Sequence, residues 1–253
     1  LALNYNTDKL KSRLSVSYDD NDGVLLGAFN KQLNLRYVGE YNINKWLKIT
    51  EDMTWTNRTA RGVNTSGRTD GAVLSAVWMP SSAEAYKADG SFGGTFTEDP
   101  EYVSKYGSHA GIFGDVISPL RTLLGSQDIN EQNNFWSTTG LEIHDIVKGL
   151  KFNSRYTFNR YQTFYKSFST RRLEIGKPNN SNSLTYSTEK AYNWKTENTL
   201  TYDRTFGKHS VGALLATTAD HYFGRTVNVT GKDLSSEDQY LQYLSFANQV
   251  SAT

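Results

Sequence analysis

The chain has 253 residues, of which 27 are Lys or Arg and 26 Asp or Glu, so its net charge is +1, and it contains no cysteine. Balanced charge excludes a dedicated nucleic-acid surface, and the missing thiols exclude disulfides, thiolate metal sites and a thiol nucleophile. The longest apolar run, Ala72 to Met79, falls far short of the roughly 18 to 20 residues of a membrane helix, which excludes a helical membrane protein but not one crossing by strands.

Apolar residues make up 37% of the chain while aromatics reach 13%, led by 16 Tyr and 12 Phe, a mixture that favours strands with two unlike faces. A first strand pair is expected at about 1–6 and 11–19, turning at Thr7-Asp8-Lys9. In the next pair, 29–43 and 45–58 about the turn Asn44-Lys45, one parity reads Leu33, Leu35, Tyr37, Tyr41 and Ile43 and the other Gln32, Asn34, Arg36, Glu40 and Asn42. Such alternation gives one oily and one wettable face. Its partner repeats the device with Leu47, Ile49, Met53 and Trp55 against Lys48, Thr50, Asp52 and Thr54; Glu51 alone breaks the apolar parity.

The second clear pair, 135–164 about Lys148-Gly149, sets Leu150, Phe152, Tyr156 and Phe158 against Lys151, Asn153, Arg155 and Thr157. The third, 184–223 about Gly207-Lys208, sets Tyr192, Trp194, Leu200 and Tyr202 against Lys195, Glu197, Thr199 and Asp203. These strands exceed the 5 or 6 residues usual in globular sheets, as a tilted bilayer crossing requires. Aromatics gather at the expected strand ends: Tyr41, Trp46, Tyr202 and Phe206 near short turns, and Trp55, Phe135, Trp136, Tyr161, Phe164, Tyr165, Tyr192, Trp194, Tyr222 and Phe223 near long connections, as two interfacial girdles would. The fold class expected is all-β, an antiparallel transmembrane barrel section of about eight strands. Short turns lie on one side, and long loops at about 59–133, 166–183 and 224–253 lie on the other.

Within the loops, Asp70 to Met79 reads as a short helix capped at Thr69 or Asp70, and Ser235 to Ala247 as another, with Ser235 and Asp238 at capping-box spacing. Asp19-Asp20-Asn21-Asp22-Gly23 reads as a turn before it reads as a calcium loop, since its spacing misses the EF-hand template. His109, His144, His209 and His221 share no ligand spacing, and no nucleophile elbow, Walker loop or dinucleotide fingerprint occurs, so no metal, cofactor or catalytic residue is expected. Lumen-facing candidates are Arg36, Glu40, Lys48, Asp52, Lys151, Arg155, Lys195, Glu197 and Asp203, for which a solvated wall of ion pairs is the plainer reading. Loop candidates for contact with a substrate or partner are Trp78, Tyr86, Phe92, Phe96, Tyr102, Tyr106 and Phe113, for which simple loop packing is the alternative.

The segments from Asp20 to Thr56, AEAYKADGSFGG at 83–94, EIHDIVKGLKFNSRYTFN at 142–159, the stretch from Lys190 to Tyr222 and SSEDQYLQYLSFAN at 235–248 together resemble the SusC/RagA-like TonB-dependent transporters of the Bacteroidetes outer membrane. The resemblance spans nearly the whole chain through the order and spacing of these segments. It implies a large barrel of about 22 strands around a plug. It further implies TonB-driven import of glycan or peptide oligomers, outer-membrane lipid around the wall, and a SusD-like lipoprotein over the outer loops, with no enzymatic step. These residues match neither the plug nor the TonB box, so the chain is expected to be an internal section of one barrel domain. Two alternatives stay open: a complete eight-stranded barrel acting as adhesin or passive pore, and a soluble carbohydrate-binding β-sandwich.

Overall fold

The computed structural model describes residues 1–67, 70–81, 83–94, 104, 116–126, 128–173 and 179–253. Nine strands follow one another: β1 (Ala2–Asn6), β2 (Leu10–Asp22), β3 (Phe29–Asn44), β4 (Leu47–Arg61), β5 (Ile129–His144), β6 (Leu150–Ser169), β7 (Ser183–Phe206), β8 (His209–Lys232) and β9 (Gln249–Ala252). Each pairs antiparallel with the next, giving one sheet in sequence order with β1 and β9 at its edges. Among the described residues of the connection after β4 are the helices α1 (Ala72–Trp78) and α2 (Pro119–Leu124), which touch each other.

The short turns form where the backbone can reverse cheaply. Gly207 supplies φ +60° in the two-residue turn to β8, and Asp145 and Gly149, at φ +61° and +87°, bracket the turn between β5 and β6. That second turn spans Asp145 to Gly149 and is wider than the Lys148-Gly149 reversal expected. Between β3 and β4 the turn falls at Lys45-Trp46, one residue later than expected, because a bulge at Asn42/Asn44 shifts the register.

The strands outrun their expected ends on the loop side. β7 and β8 each run 24 residues, so the connections shrink to 62–128, 170–182 and 233–248. The acidic run Asp19 to Asp22 lies inside β2, and the reversal follows it, with the Gly23 amide donating to the Ala28 carbonyl at 2.7 Å. Among the described residues there are nine strands instead of about eight, since Gln249–Ala252 pairs with Val229–Lys232 of β8. A closed eight-stranded ring does not describe a sheet with two edges. A sandwich fails as well: among the described residues there is a single sheet, and Leu35 and Leu215 on its apolar face remain 37% and 64% exposed.

Both loop helices differ from expectation. Gly71, not Asp70, is the N-cap of α1, and it makes no side-chain cap, while Thr69 lies outside the described residues. Ser235 to Ala247 forms two 3-10 turns, Gln239–Leu241 and Leu244–Phe246, instead of one helix. Asp238 directs its carboxylate to the Tyr240 amide at 2.9 Å, tightening the chain into a 3-10 turn.

What apolar core exists sits at the loop end. Phe168 on β6, Leu184 on β7 and Leu234 beyond β8 are fully buried, with Tyr186, Leu244 and Ala247 packed against them. Burying each of the three contributes about 2 kcal/mol. Asn182 binds the same corner with polar contacts: it accepts from the Leu234 amide at 2.6 Å and donates to the Leu234 carbonyl at 3.1 Å and to Glu237 at 3.4 Å. Arg171 adds its guanidinium to the Leu234 carbonyl at 3.0 Å and its amide to Glu237 at 2.7 Å.

Candidate functional site: the two faces of the sheet

Cross-strand partners in an antiparallel ladder project to the same face, so the register sorts every strand residue by side. One face carries the row Val16, Leu35, Trp55, Phe135, Arg160, Tyr192, Phe223 and, toward the short turns, the row Leu47, Ile143, Phe152, Leu200, Leu215. The opposite face carries Arg13, Val38, Asp52, Thr138, Thr157, Lys195, Asp220 and, beside it, Lys11, Glu40, Thr50, Gly140, Arg155, Glu197, Thr218. All nine lumen-facing candidates fall on this second, polar face.

Their geometry is that of a solvated ionic wall. Arg36 grips Asp52 through two hydrogen bonds, Nε to Oδ1 at 3.0 Å and Nη2 to Oδ2 at 2.8 Å. Glu142, missed as a site residue in the sequence, is a hub: Lys151 stands 2.9 Å from it, Lys48 3.6 Å and His144 3.9 Å, and its side chain is only 24% exposed. Lys195 meets Glu197 at 2.8 Å, opposite Arg155 in the ladder, and Lys11 approaches Glu40 at 4.0 Å. Asp203 lies at the short-turn end, its amide donating to the Gly149 carbonyl at 2.8 Å. Among the described residues no cluster of three or more His, Asp or Glu could hold a metal ion.

The loop candidates scatter. Trp78 ends α1 half exposed. Tyr86 and Phe92 form an isolated bridge with rings stacked at 5.8 Å, and the Arg121 guanidinium sits 5.0 Å above Phe92. Phe96, Tyr102, Tyr106 and Phe113 lie outside the described residues. Near Tyr86, the Asp89 carboxylate accepts from the Ser91 hydroxyl at 2.6 Å and its amide at 2.9 Å, which holds its pKa below the usual value.

Two expectations change once side is known. The loop-side girdle does not lie at strand ends: Trp55, Phe135, Tyr192 and Phe223 align across the ladder, but β7 and β8 continue nine residues past Tyr192 and Phe223 to Ser183 and Lys232. Four of its expected members, Trp136, Tyr161, Tyr165 and Tyr222, stand on the polar face. Glu51, the exception to parity, is accommodated on the apolar face by the Ser137 and Thr139 hydroxyls at 2.7 and 2.6 Å. Those donors sit on β5, beyond the reach of a single-strand pattern.

No family model matches the chain. In sequence it is 23% identical over 225 residues to the TonB-dependent receptor P3 of Formosa agariphila, across 85% of this chain and 20% of that protein. In structure it superposes on the RagAB peptide importer with a TM-score of 0.76 at 15% identity, covering 100% of this chain and 27% of that one. The ferripyoverdine receptor of the outer membrane of Pseudomonas aeruginosa gives 0.54 at 13% identity, over 94% and 27%. The chain thus spans a fifth to about a quarter of the length of these proteins, all of them receptors or importers. Wall, belts and strand order together make the chain similar to the SusC/RagA-like TonB-dependent transporters, and its sheet has the fold of one section of such a barrel wall.

Proposed function

We propose that this chain forms part of the wall of a single outer-membrane barrel domain that imports glycan or peptide oligomers by TonB-dependent active transport. A SusD-like lipoprotein would sit over the connections 62–128, 170–182 and 233–248, which would face outward, and a plug elsewhere in the polypeptide would gate the lumen. The observation that carries the reading is a single-layer sheet whose two faces differ in chemistry along its whole width. Among the described residues the apolar face has no protein layer over it between its aromatic belts, and hydrocarbon is the solvent that would make its exposure favourable. The charged rows opposite would line an aqueous passage, where ion pairs exposed to water cost little.

Import on this reading makes no covalent change in the solute. The wall supplies hydrogen-bonding and stacking groups, while the energy comes from outside the chain. The test uses the full-length polypeptide in its own outer membrane, with uptake of labelled oligomers followed before and after a protonophore. Loss of uptake on de-energising, and on deleting the companion lipoprotein, is expected; uptake that persists unchanged would sink active transport.

A further inference from the structure

One row of the polar face has a composition unlike its neighbours. Trp136 on β5, Asn159 on β6, Asn193 on β7 and Tyr222 on β8 are consecutive cross-strand partners, so two aromatic rings bracket two carboxamides. Three strand spacings separate the ends of the row, about 14 Å. The rings are presented, not buried. Tyr222 is 65% exposed and Trp136 42%. A Cβ at Gly224 would stand 2.5 Å from the Tyr222 hydroxyl and 3.0 Å from its ring, so the ring lies along the wall over the glycine with a face turned outward. Trp136 is anchored by its indole N–H, which donates to Thr138 at 3.2 Å.

The surroundings are polar, with one carboxylate, Glu189, on the rim. A hollow of about 200 Å³ opens at Asn159, Tyr161, Glu189, Asn193 and Tyr222. One row up, the buried Oδ1 of Asn134 has no hydrogen-bond partner among the described residues. The nearest cations are engaged: Lys195 with Glu197, Arg36 with Asp52, and Arg58 with the amide oxygens of Asn30 and Gln132. A peptide's terminal carboxylate would find these cations already taken. A pyranose ring suits the row better, because its C–H face stacks on an aromatic ring while its vicinal hydroxyls pair with a carboxamide that both donates and accepts.

Resting on the import reading and narrowing it, we propose that the row Trp136, Asn159, Asn193 and Tyr222 is a subsite for a neutral oligosaccharide of about three sugar rings, lying across the strands of the lumen wall. Full-length transporter in detergent is titrated by calorimetry with maltohexaose, cellohexaose, xylohexaose and mannohexaose, and with an uncharged hexapeptide as control. At least one hexasaccharide should bind. Trp136→Ala and Tyr222→Ala should each weaken it by about tenfold, and Trp136→Phe by no more than about twofold. Gly224→Val leaves every contact residue in place yet lifts the Tyr222 ring, so it should weaken binding about as much as Tyr222→Ala.

Binding of none of the four sugars, binding of the hexapeptide alone, or sugar binding indifferent to Trp136→Ala and Tyr222→Ala would each overturn the subsite. The two readings fail separately. Protonophore-insensitive uptake of a bound hexasaccharide would remove active import and leave the subsite standing. Protonophore-sensitive uptake of peptide without sugar binding would do the reverse.

Discussion

Replacing Asn182 with alanine should loosen the corner where the connections 170–182 and 233–248 meet, leaving the ladder intact. Asn182 is fully buried, and three of its bonds go to residues 234–237. Truncation leaves the Leu234 amide without an acceptor in a dry setting, which costs about 1–3 kcal/mol, whereas the Leu234 carbonyl keeps the Arg171 guanidinium at 3.0 Å. Loss of the two donated bonds adds about 1 kcal/mol, for a sum of about 2–4 kcal/mol. That loss falls on local opening, because the strands are held by their own ladders. Hydrogen exchange of the full-length protein should show the Leu234 amide and the 233–247 segment exchanging about 30-fold to several hundred-fold faster. Asn182→Asp keeps the acceptor and should do less. Unchanged exchange across 233–247 in Asn182→Ala would refute the assignment of this side chain as the tie between the two connections.

Gly149→Ala should fold far worse than Gly207→Ala, judged by heat-modifiable mobility of the refolded protein. Both have positive φ, but a Cβ at 149 would meet the Asp203 carbonyl at 2.4 Å while one at 207 meets nothing within 4 Å, so the second change costs only about 1 kcal/mol. Arg36→Gln should lower the thermal midpoint by little, since the Arg36–Asp52 side chains are 56% and 41% exposed and such pairs contribute less than about 1 kcal/mol; a loss of several kcal/mol would mean the pair is dry. The depressed Asp89 carboxyl should stabilise the 87–91 turn at and above the ordinary carboxylate range and release it as pH falls through its lowered value. The protection factor of the Ser91 amide, its exchange corrected for the intrinsic rate at each pH, should therefore fall on acidification, and Asp89→Asn should make it independent of pH.

How much of this was legible depends on how far apart the cooperating residues lie. Alternation within β3, β4, β6 and β7 announces both faces, because side-chain parity is a local property, and Gly149 and Gly207 mark reversals through their own backbone freedom. The nine charged candidates were therefore assignable to one side from sequence. β9 was not, since four residues with one partner strand carry little pattern. The failed helix at 235–247 has a similar cause: Leu234, Leu244 and Ala247 are spaced to meet Phe168, Leu184 and Tyr186 from other strands, and no helical period records that. Least legible is the Trp136–Tyr222 row. Its members stand 23, 34 and 29 residues apart in sequence and are united only by the register of three successive pairings.

The length of β7 and β8 has a mechanical consequence. At about 3.3 Å per residue and a tilt near 40°, 24 residues rise about 60 Å, more than twice the roughly 25 Å oily band of an outer-membrane barrel. Tyr202 and Phe206 crowd the two-residue turn, so nearly all the surplus height stands on the other side, as a collar of continuous hydrogen-bonded ribbon. A force applied at the rim would not dissipate in slack loops. It would be carried along stiff paired ribbon from the far rim toward the short turns, so that the two ends of these strands move as one rigid frame.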